Sequence, residues 1–319
     1  MPGIKDIAKR ANCSISTVSY ALNGSSKVTE ATRQRILAIA KELDYVPNGA
    51  ARMLRAQETK IIGCYLSDYS GSFYGRLLKG IREQLKESGY ELIVCSGNGS
   101  RRLLMEKMMD GAIILDASFN NEDLLSIADL GHKMILLDRE LSHENITTLL
   151  LDNKKGATLA IEALSKHEIE HIYIVNGPAG SFDGSERTYR AIEYLYEQNK
   201  IPFTLLDGDF TKEAGSAAAE YIQTKNHKKP IGVFCLNDEM AIGIYDFVKD
   251  TKLIIGKDIY MVGFDNTELA SYIRPTLTTI DYSTTKWGRI ASSKLLDLIK
   301  GNFIENEKIP VSLKTGESC

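Results

Sequence analysis

Apolar positions in the first 46 residues recur with helical spacing. Ile4, Ile7, Ala8 and Ala11 fall at i, i+3, i+4 and i+7, which predicts a short helix with one apolar face. Asn12-Cys13 makes a turn and Ser14 is placed to cap a second helix, whose inner face is Val18, Ala21 and Leu22. Asn23-Gly24-Ser25-Ser26 ends that helix. Thr29 caps a third, running to about Leu43, with Ile36, Leu37, Ala40 and Leu43 turned inward.

Near residue 60 the rhythm changes. Short apolar runs appear at Lys60–Leu66, Leu92–Cys95, Ala112–Leu115, Met134–Leu137, Thr148–Leu151, Ile172–Val175, Phe203–Leu206, Ile231–Leu236, Tyr260–Phe264 and Leu277–Ile280. Amphipathic stretches of helical length lie between most of them, such as Phe73–Ser88, Asn153–Ser165, Arg187–Gln198 and Asp238–Val248. Buried strands alternating with helices predict parallel α/β sheet. The length favours two doubly wound lobes over one open sheet. The expected fold is therefore an all-α head followed by an α/β core of two doubly wound parallel-sheet lobes.

Composition sharpens this division. The 319 residues carry a formal net charge of −3, but residues 1–60 hold ten Lys/Arg against five Asp/Glu, or +5, which leaves −8 for the remainder. A basic head on an acidic body suggests that the head meets a polyanion and the body does not. No apolar run is long enough for a membrane span, and the opening MPGIKDIAKR lacks the apolar core of a secretory signal, so a cytoplasmic protein is expected. Cys13, Cys64, Cys95, Cys235 and Cys319 are scattered and odd in number, which argues against a disulfide framework or a zinc site.

The head reads as a helix-turn-helix. On a wheel with Val18 facing the core, Ser16, Tyr20 and Asn23 point the opposite way, where hydroxyl, phenol and amide groups can reach bases or phosphates. Ser14, Thr17 and Ser19 flank that face and suit the DNA backbone. In the body, polar residues gather just after the apolar runs: Asp68, Asp116, Asp138-Arg139, Asn176-Gly177-Pro178, Asn237-Asp238 and Asp265-Asn266. Open parallel sheets bind ligands beyond the carboxyl ends of their strands, and this set suits a polyhydroxylated or otherwise hydrogen-bonding small molecule. Between head and body, Asn48 can cap a short helix after Pro47; it would be marginal alone because of its length and Gly49.

The stretch IKDIAKRANCSISTVSYALNGSSKVTEATRQRILAIAKELDYVPNGAARMLR closely resembles the lactose/galactose-repressor (LacI/GalR) family of bacterial transcription regulators. VFCLNDEMAIG, MVGFDNTELA and RPTLTTI match landmarks of the same family in the body. The resemblance implies a homodimer with a periplasmic-binding-protein-like core. It implies a DNA-binding domain at 1–46, a hinge helix and linker at 47–59, and an effector-binding and dimerisation core at 60–319. Lobe 1 would span about 60–151 plus 283–319, and lobe 2 about 152–282. It implies base reading in the major groove by Ile15, Ser16 and Tyr20, backbone contacts by Ser14, Thr17, Ser19 and Asn23, and minor-groove insertion by a hinge containing Asn48, Ala51 and Leu54. It also implies that Phe73 and Tyr74 flank the effector, that Arg187 and Asp265 grip it, and that Asp68, Asp138 and Asn237 line the same cleft.

The sequence departs from that pattern in places. Tyr20 stands where arginine is usual, Gly49 loosens the hinge, and Ser96–Gly111 is short enough to reduce one helix to a stub. Asp281-Tyr282 replaces Gln-Pro, Trp287 replaces a smaller apolar residue, and without a leucine-heptad tail a lactose-repressor type of tetramer is not expected. The expected function is an operator-binding regulator, a repressor by preference, switched by a sugar or sugar derivative between the lobes. Its partners are near-palindromic operator DNA, a second copy of the chain and the effector, with no cofactor, metal or membrane, and it works in the bacterial cytoplasm at the nucleoid. The alternatives are a solute-binding protein and a regulator governed by a protein partner. No P-loop, HExxH or GxSxG occurs, which disfavours an enzyme.

Overall fold

The computed structural model describes residues 2–46, 58–69, 71–199, 201–225, 227–228 and 230–319. Contacts divide the chain into two units, Met1–Glu58 and Thr59–Cys319. In the first, α1 (Ile4–Ala11), α2 (Ile15–Leu22) and α3 (Glu30–Glu42) enclose a core of Ile7, Ala8, Ala11, Val18, Ala21, Val28, Ile36 and Ala40. Ser14 caps α2 by accepting the Thr17 amide at 3.0 Å, and Thr29 caps α3 by accepting the Thr32 amide. Leu37, expected on the inner face of α3, is instead 39% exposed: Ile36 and Ala40 already fill that face.

The second unit starts at β1 (Ile61–Leu66) and α4 (Gly71–Glu87). It continues through β2 (Glu91–Cys95), α5 (Arg101–Met105), β3 (Gly111–Leu115), α6 (Asn121–Asp129), β4 (Lys133–Leu136) and β5 (Ile146–Leu151). After α7 (Asn153–Leu164) come β6 (Ile172–Val175), α8 (Phe182–Tyr194), β7 (Phe203–Leu206), α9 (Lys212–Gln223), β8 (Ile231–Cys235), α10 (Asp238–Val248), β9 (Ile259–Phe264), α11 (Glu268–Tyr272) and β10 (Thr278–Asp281). The chain closes with α12 (Thr284–Ile299), β11 (Glu307–Ile309) and β12 (Ser312–Lys314). The segment between β2 and β3 holds only the five-residue α5 and a preceding single 3₁₀ turn.

Among the described residues these strands form two six-stranded sheets, ordered β11-β5-β4-β3-β1-β2 and β12-β10-β9-β8-β6-β7. All pairings are parallel except β12 with β10. Strand order reverses between β1 and β3 in the first lobe and between β6 and β8 in the second, the switch points beyond which doubly wound sheets bind ligands.

The chain crosses between lobes after β5, after β10 and after β11. The last crossing corrects the expected lobe boundary, which kept all of 283–319 in the first lobe. Residues from Ser312 onward belong to the second: β12 pairs with β10, and the Ser318 hydroxyl donates to the Met261 carbonyl and accepts the Thr278 amide. Strands of three residues with exposed flanks carry too little periodicity to be seen in sequence.

In the first lobe α4 and α12 pack unusually close. A Cβ on Gly80 would lie 2.0 Å from the Thr285 carbonyl oxygen, and one on Gly288 would lie 2.4 Å from that of Leu77. Only glycine permits this approach. It anchors the start of α12, and with it the crossing that enters from β10.

Candidate functional sites

The head exposes one polar face of α2. Ile15 (41%) and Tyr20 (39%) are exposed together with Ser16, and the Lys27 ammonium lies 5.0 Å from the Tyr20 ring centroid. The Ser14 and Thr17 hydroxyls hydrogen-bond each other at 2.8 Å while Ser14 caps the helix. Ser19, expected beside them on the DNA backbone, is corrected: it is 7% exposed, and its hydroxyl accepts from the Asn23 side chain (Nδ2) at 3.4 Å. Asn48, Ala51 and Leu54 lie outside the described residues.

In the core, the residues expected to meet an effector come from both sheets. Asp68 follows β1, Phe73 and Tyr74 lie in the first turn of α4, and Asp138 follows β4. Arg187 rises from α8, Asn237 caps α10 and Asp265 follows β9. Phe73 and Tyr74 meet edge to face at 5.0 Å between centroids, and Phe73 also lies 6.4 Å from Trp287. Trp287 in turn meets Tyr282 edge to face at 5.9 Å and donates its indole N–H to the Leu149 carbonyl at 3.0 Å. Tyr282 continues the row to Phe264 at 6.0 Å, and the Arg187 guanidinium stacks 3.5 Å from the Phe264 centroid. One aromatic row thus runs from the first lobe to the second past the crossing strands.

Arg187 is 4% exposed. Its Nε donates to Asn153 Oδ1 at 2.8 Å and Nη1 to the Leu236 carbonyl at 2.6 Å. Asn153 also donates to Asp183 at 2.6 Å, so α7 holds the arginine and the aspartate of α8 one turn apart. Asp265 accepts the Tyr282 hydroxyl at 2.7 Å. The Asp265 and Asn266 backbones sit at φ 109° and 45°, a region that side chains other than glycine rarely adopt. Asp238 enforces this turn: one carboxylate oxygen accepts the Thr267 amide at 2.7 Å and the other accepts the Thr279 hydroxyl at 2.6 Å. From the first lobe, Arg76 donates to the carbonyls of Asp265 (2.9 Å) and Asn266 (2.8 Å).

Electrostatics ties these groups into one site. Burial pushes the Asp238 carboxyl up to about 7 and the Asp265 carboxyl up to about 6, the latter restrained by Arg187 and Tyr282. Burial also raises the Asp183 carboxyl, against the pull of Arg187 and Asn153. The Tyr74 phenol is pushed up to about 12, by burial first and then by Asp68, Asp265 and Asp116. Tyr74 thus feels carboxylates of both lobes.

Asn237 is spent differently from expectation. Its Oδ1 accepts the Met240 amide at 3.0 Å and its Nδ2 donates to the Phe210 carbonyl at 2.9 Å, so it braces the start of α10. Asp138 is gripped through both oxygens by Arg139 at 2.8 and 2.9 Å. Sequence reasoning did not assign Asp183, Asn153 or Arg76 to the site, and it marked Tyr282 and Trp287 only as departures near the lobe crossovers that bear on the ligand pocket or lobe angle. Asp183 stands four residues before Arg187, a spacing that places the two on one helix face; the helix was expected to begin only at Arg187. Arg76 offers no such signal.

An α-helical DNA-reading head joined to a two-lobed core, with polar and aromatic side chains of both lobes gathered at the strand ends, defines a ligand-responsive helix-turn-helix regulator. Comparison with known proteins gives the family. Residues 3–48 match the family model described as bacterial regulatory proteins, lacI family, and residues 161–319 match a periplasmic binding protein-like domain. The HTH-type transcriptional repressor PurR of Aliivibrio fischeri is 30% identical over 94% of this chain and 92% of its own. A sugar-binding transcriptional regulator of the LacI family from Enterococcus faecalis is 44% identical, with a TM-score of 0.78 over 82% of this chain and 98% of its own. A LacI family regulator from Enterococcus faecium with bound ribose is 26% identical, with a TM-score of 0.74 over 81% and 98%. The chain belongs to the lacI family of bacterial regulatory proteins. No described helix is long and apolar enough to cross a membrane.

Proposed function

We propose that the chain is a homodimeric repressor that binds a near-palindromic operator and changes its affinity when a sugar-like effector enters the core cleft. The observation that carries this reading is the convergence of Asp138, Asp183, Arg187 and Asp265 beside Phe73, Tyr74 and Phe264, drawn from both lobes. Polar groups around aromatic faces suit a sugar ring, and the resemblance to a sugar-binding regulator and a ribose-bound regulator supports the same class.

In this reading Ile15, Ser16 and Tyr20 address base edges, while Ser14, Thr17 and Asn23 hold the backbone. The effector draws the lobes into a changed angle, and the 47–59 segment, with Asn48, Ala51 and Leu54, conveys that change to the paired heads. A two-state core responds only as far as the effector prefers one state. The cleft serves sensing and performs no catalytic step, and the protein works in the cytoplasm on chromosomal DNA. The test is selection of bound duplexes in vitro, followed by titration of the winner with and without a panel of free sugars. Indifference to every small molecule, with a response only to a protein partner, favours the protein-governed alternative.

A further inference from the structure

Resting on the reading of the cleft as the effector site, we propose that it takes an uncharged, hydroxyl-rich ligand and rejects the phosphate ester of that ligand. Carboxylates line the strand ends from both sides: Asp68, Asp116 and Asp138 after β1, β3 and β4, Asp183 in the first turn of α8, and Asp265 after β9. Two of the three arginines among them are already committed. Arg139 holds both oxygens of Asp138 and also reaches the Asp116 and Phe119 carbonyls. Arg76 is spent on the carbonyls of Asp265 and Asn266. Arg187 keeps Nε and one Nη1 hydrogen on Asn153 and Leu236 and its face on Phe264, and the charge on its remaining donors is already offset by Asp183 and Asp265.

The helix termini point the same way. In doubly wound sheets a phosphate ordinarily rests on the amides at a helix N-terminus near the strand ends. Here α8 begins with Ser181 accepting the Gly184 amide and with Asp183 in its first turn. α10 begins with Asn237 accepting the Met240 amide and with Asp238 and Glu239 in its first turn. The chain's own carboxylates occupy the neighbourhood an incoming phosphate would need, and like charges repel strongly where water is excluded.

One buried acceptor, moreover, is unpaired. Asp116 is 2% exposed, and its buried Oδ2 has no hydrogen-bond partner. Ionised carboxylates only accept, so they select a ligand that donates. Hydroxyls donate; a phosphate monoester at neutral pH adds acceptors and charge.

The experiment is calorimetric titration of the full chain with matched probes: ribose and ribose 5-phosphate, glucose and glucose 6-phosphate, fructose and fructose 1-phosphate, and inorganic phosphate alone. The expected result is binding by a free sugar, its ester at least tenfold weaker, and no binding of inorganic phosphate. An ester tighter than its parent, or inorganic phosphate binding that Arg187→Gln abolishes, overturns the proposal. If no free sugar binds, the polyol reading of the cleft fails, and the charge inference is then decided by inorganic phosphate: silence supports it and binding overturns it. The double variant D138N/D183N, checked for folding by thermal melting, is expected to narrow the gap between sugar and ester. A folded variant whose gap is unchanged contradicts the assigned cause.

Discussion

Tyr282 donates its hydroxyl to Asp265 at 2.7 Å, and both residues are buried. Tyr282 directly follows β10, where the chain crosses between lobes, while Asp265 stands in the strained turn after β9. The carboxylate proposed to grip the effector is therefore fastened to a segment that must bend when the lobes move. The aromatic row through Trp287 extends the link to Phe73 and Tyr74.

Removing that hydroxyl leaves a buried carboxylate short of a donor, at a cost of about 1–3 kcal/mol. Tyr282→Phe is expected to weaken effector binding by roughly tenfold, since each 1.4 kcal/mol is tenfold in affinity. Calorimetry of the purified variant with the sugar that binds the parent checks this. Unchanged affinity would remove Tyr282 from the site.

The buried carboxyls give a pH dependence of defined sign. Asp238 at about 7 and Asp265 at about 6 hold protons more tightly folded than unfolded, where carboxyls titrate near 4. Their contribution is fully present below about pH 4 and is lost as pH rises through about 6 to 7. Thermal stability of the core should therefore rise on going from pH 7.5 to 5.5, by at most about 1.4 kcal/mol per pH unit for each proton. Asp238→Asn keeps an acceptor for the Thr267 amide and should flatten the slope. A variant with the parental slope would show that other groups set it.

Much of this was legible in the chain because it rests on local rules. Ser14 and Thr29 cap as their position before an apolar face requires, and Asp68, Asp138 and Asp265 follow strands whose apolar runs are unmistakable. What escaped is tertiary. Asp183 escaped because the cap at Ser181 starts α8 five residues before its apolar periodicity becomes evident. Arg76 pairs with carbonyls some 190 positions away, and β12 has three residues. Ser19 reads as a surface serine on the wheel, yet it is buried.

Arg76 ties the lobes together through two charge-assisted hydrogen bonds to Asp265 and Asn266. Bonds of this kind contribute about 1.5–3 kcal/mol each when buried, less for a half-exposed side chain. Arg76→Met is expected to lower the melting temperature of the core and to speed effector dissociation, read by stopped-flow fluorescence. If both are unaltered, the contact is not a latch.

Gly288 admits the Leu77 carbonyl to a distance no side chain allows. Gly288→Ala must push α4 and α12 apart, destabilising the core by about 1–3 kcal/mol as overpacking does. Urea unfolding followed by circular dichroism measures this. A neutral result would mean that the helix pair relaxes freely.

Tyr20 lies exposed beside Ile15 and Ser16 on α2. Tyr20→Arg should move the selected sites toward guanine at one position per half-site, since arginine grips guanine with two hydrogen bonds. Selection in vitro with both proteins reads the change directly. Identical site preferences would place Tyr20 outside the base-reading set.

The central claim is that occupancy of the core cleft alters the grip of the head on DNA. The direct measurement is fluorescence anisotropy of a selected operator duplex titrated with the full chain, at zero and at saturating concentrations of the sugar that binds the core. The account predicts a change of about 5- to 150-fold, the usual range of coupling between two sites, and its disappearance in an Arg187→Gln variant that still binds operator. Operator affinity identical with and without bound sugar would contradict it.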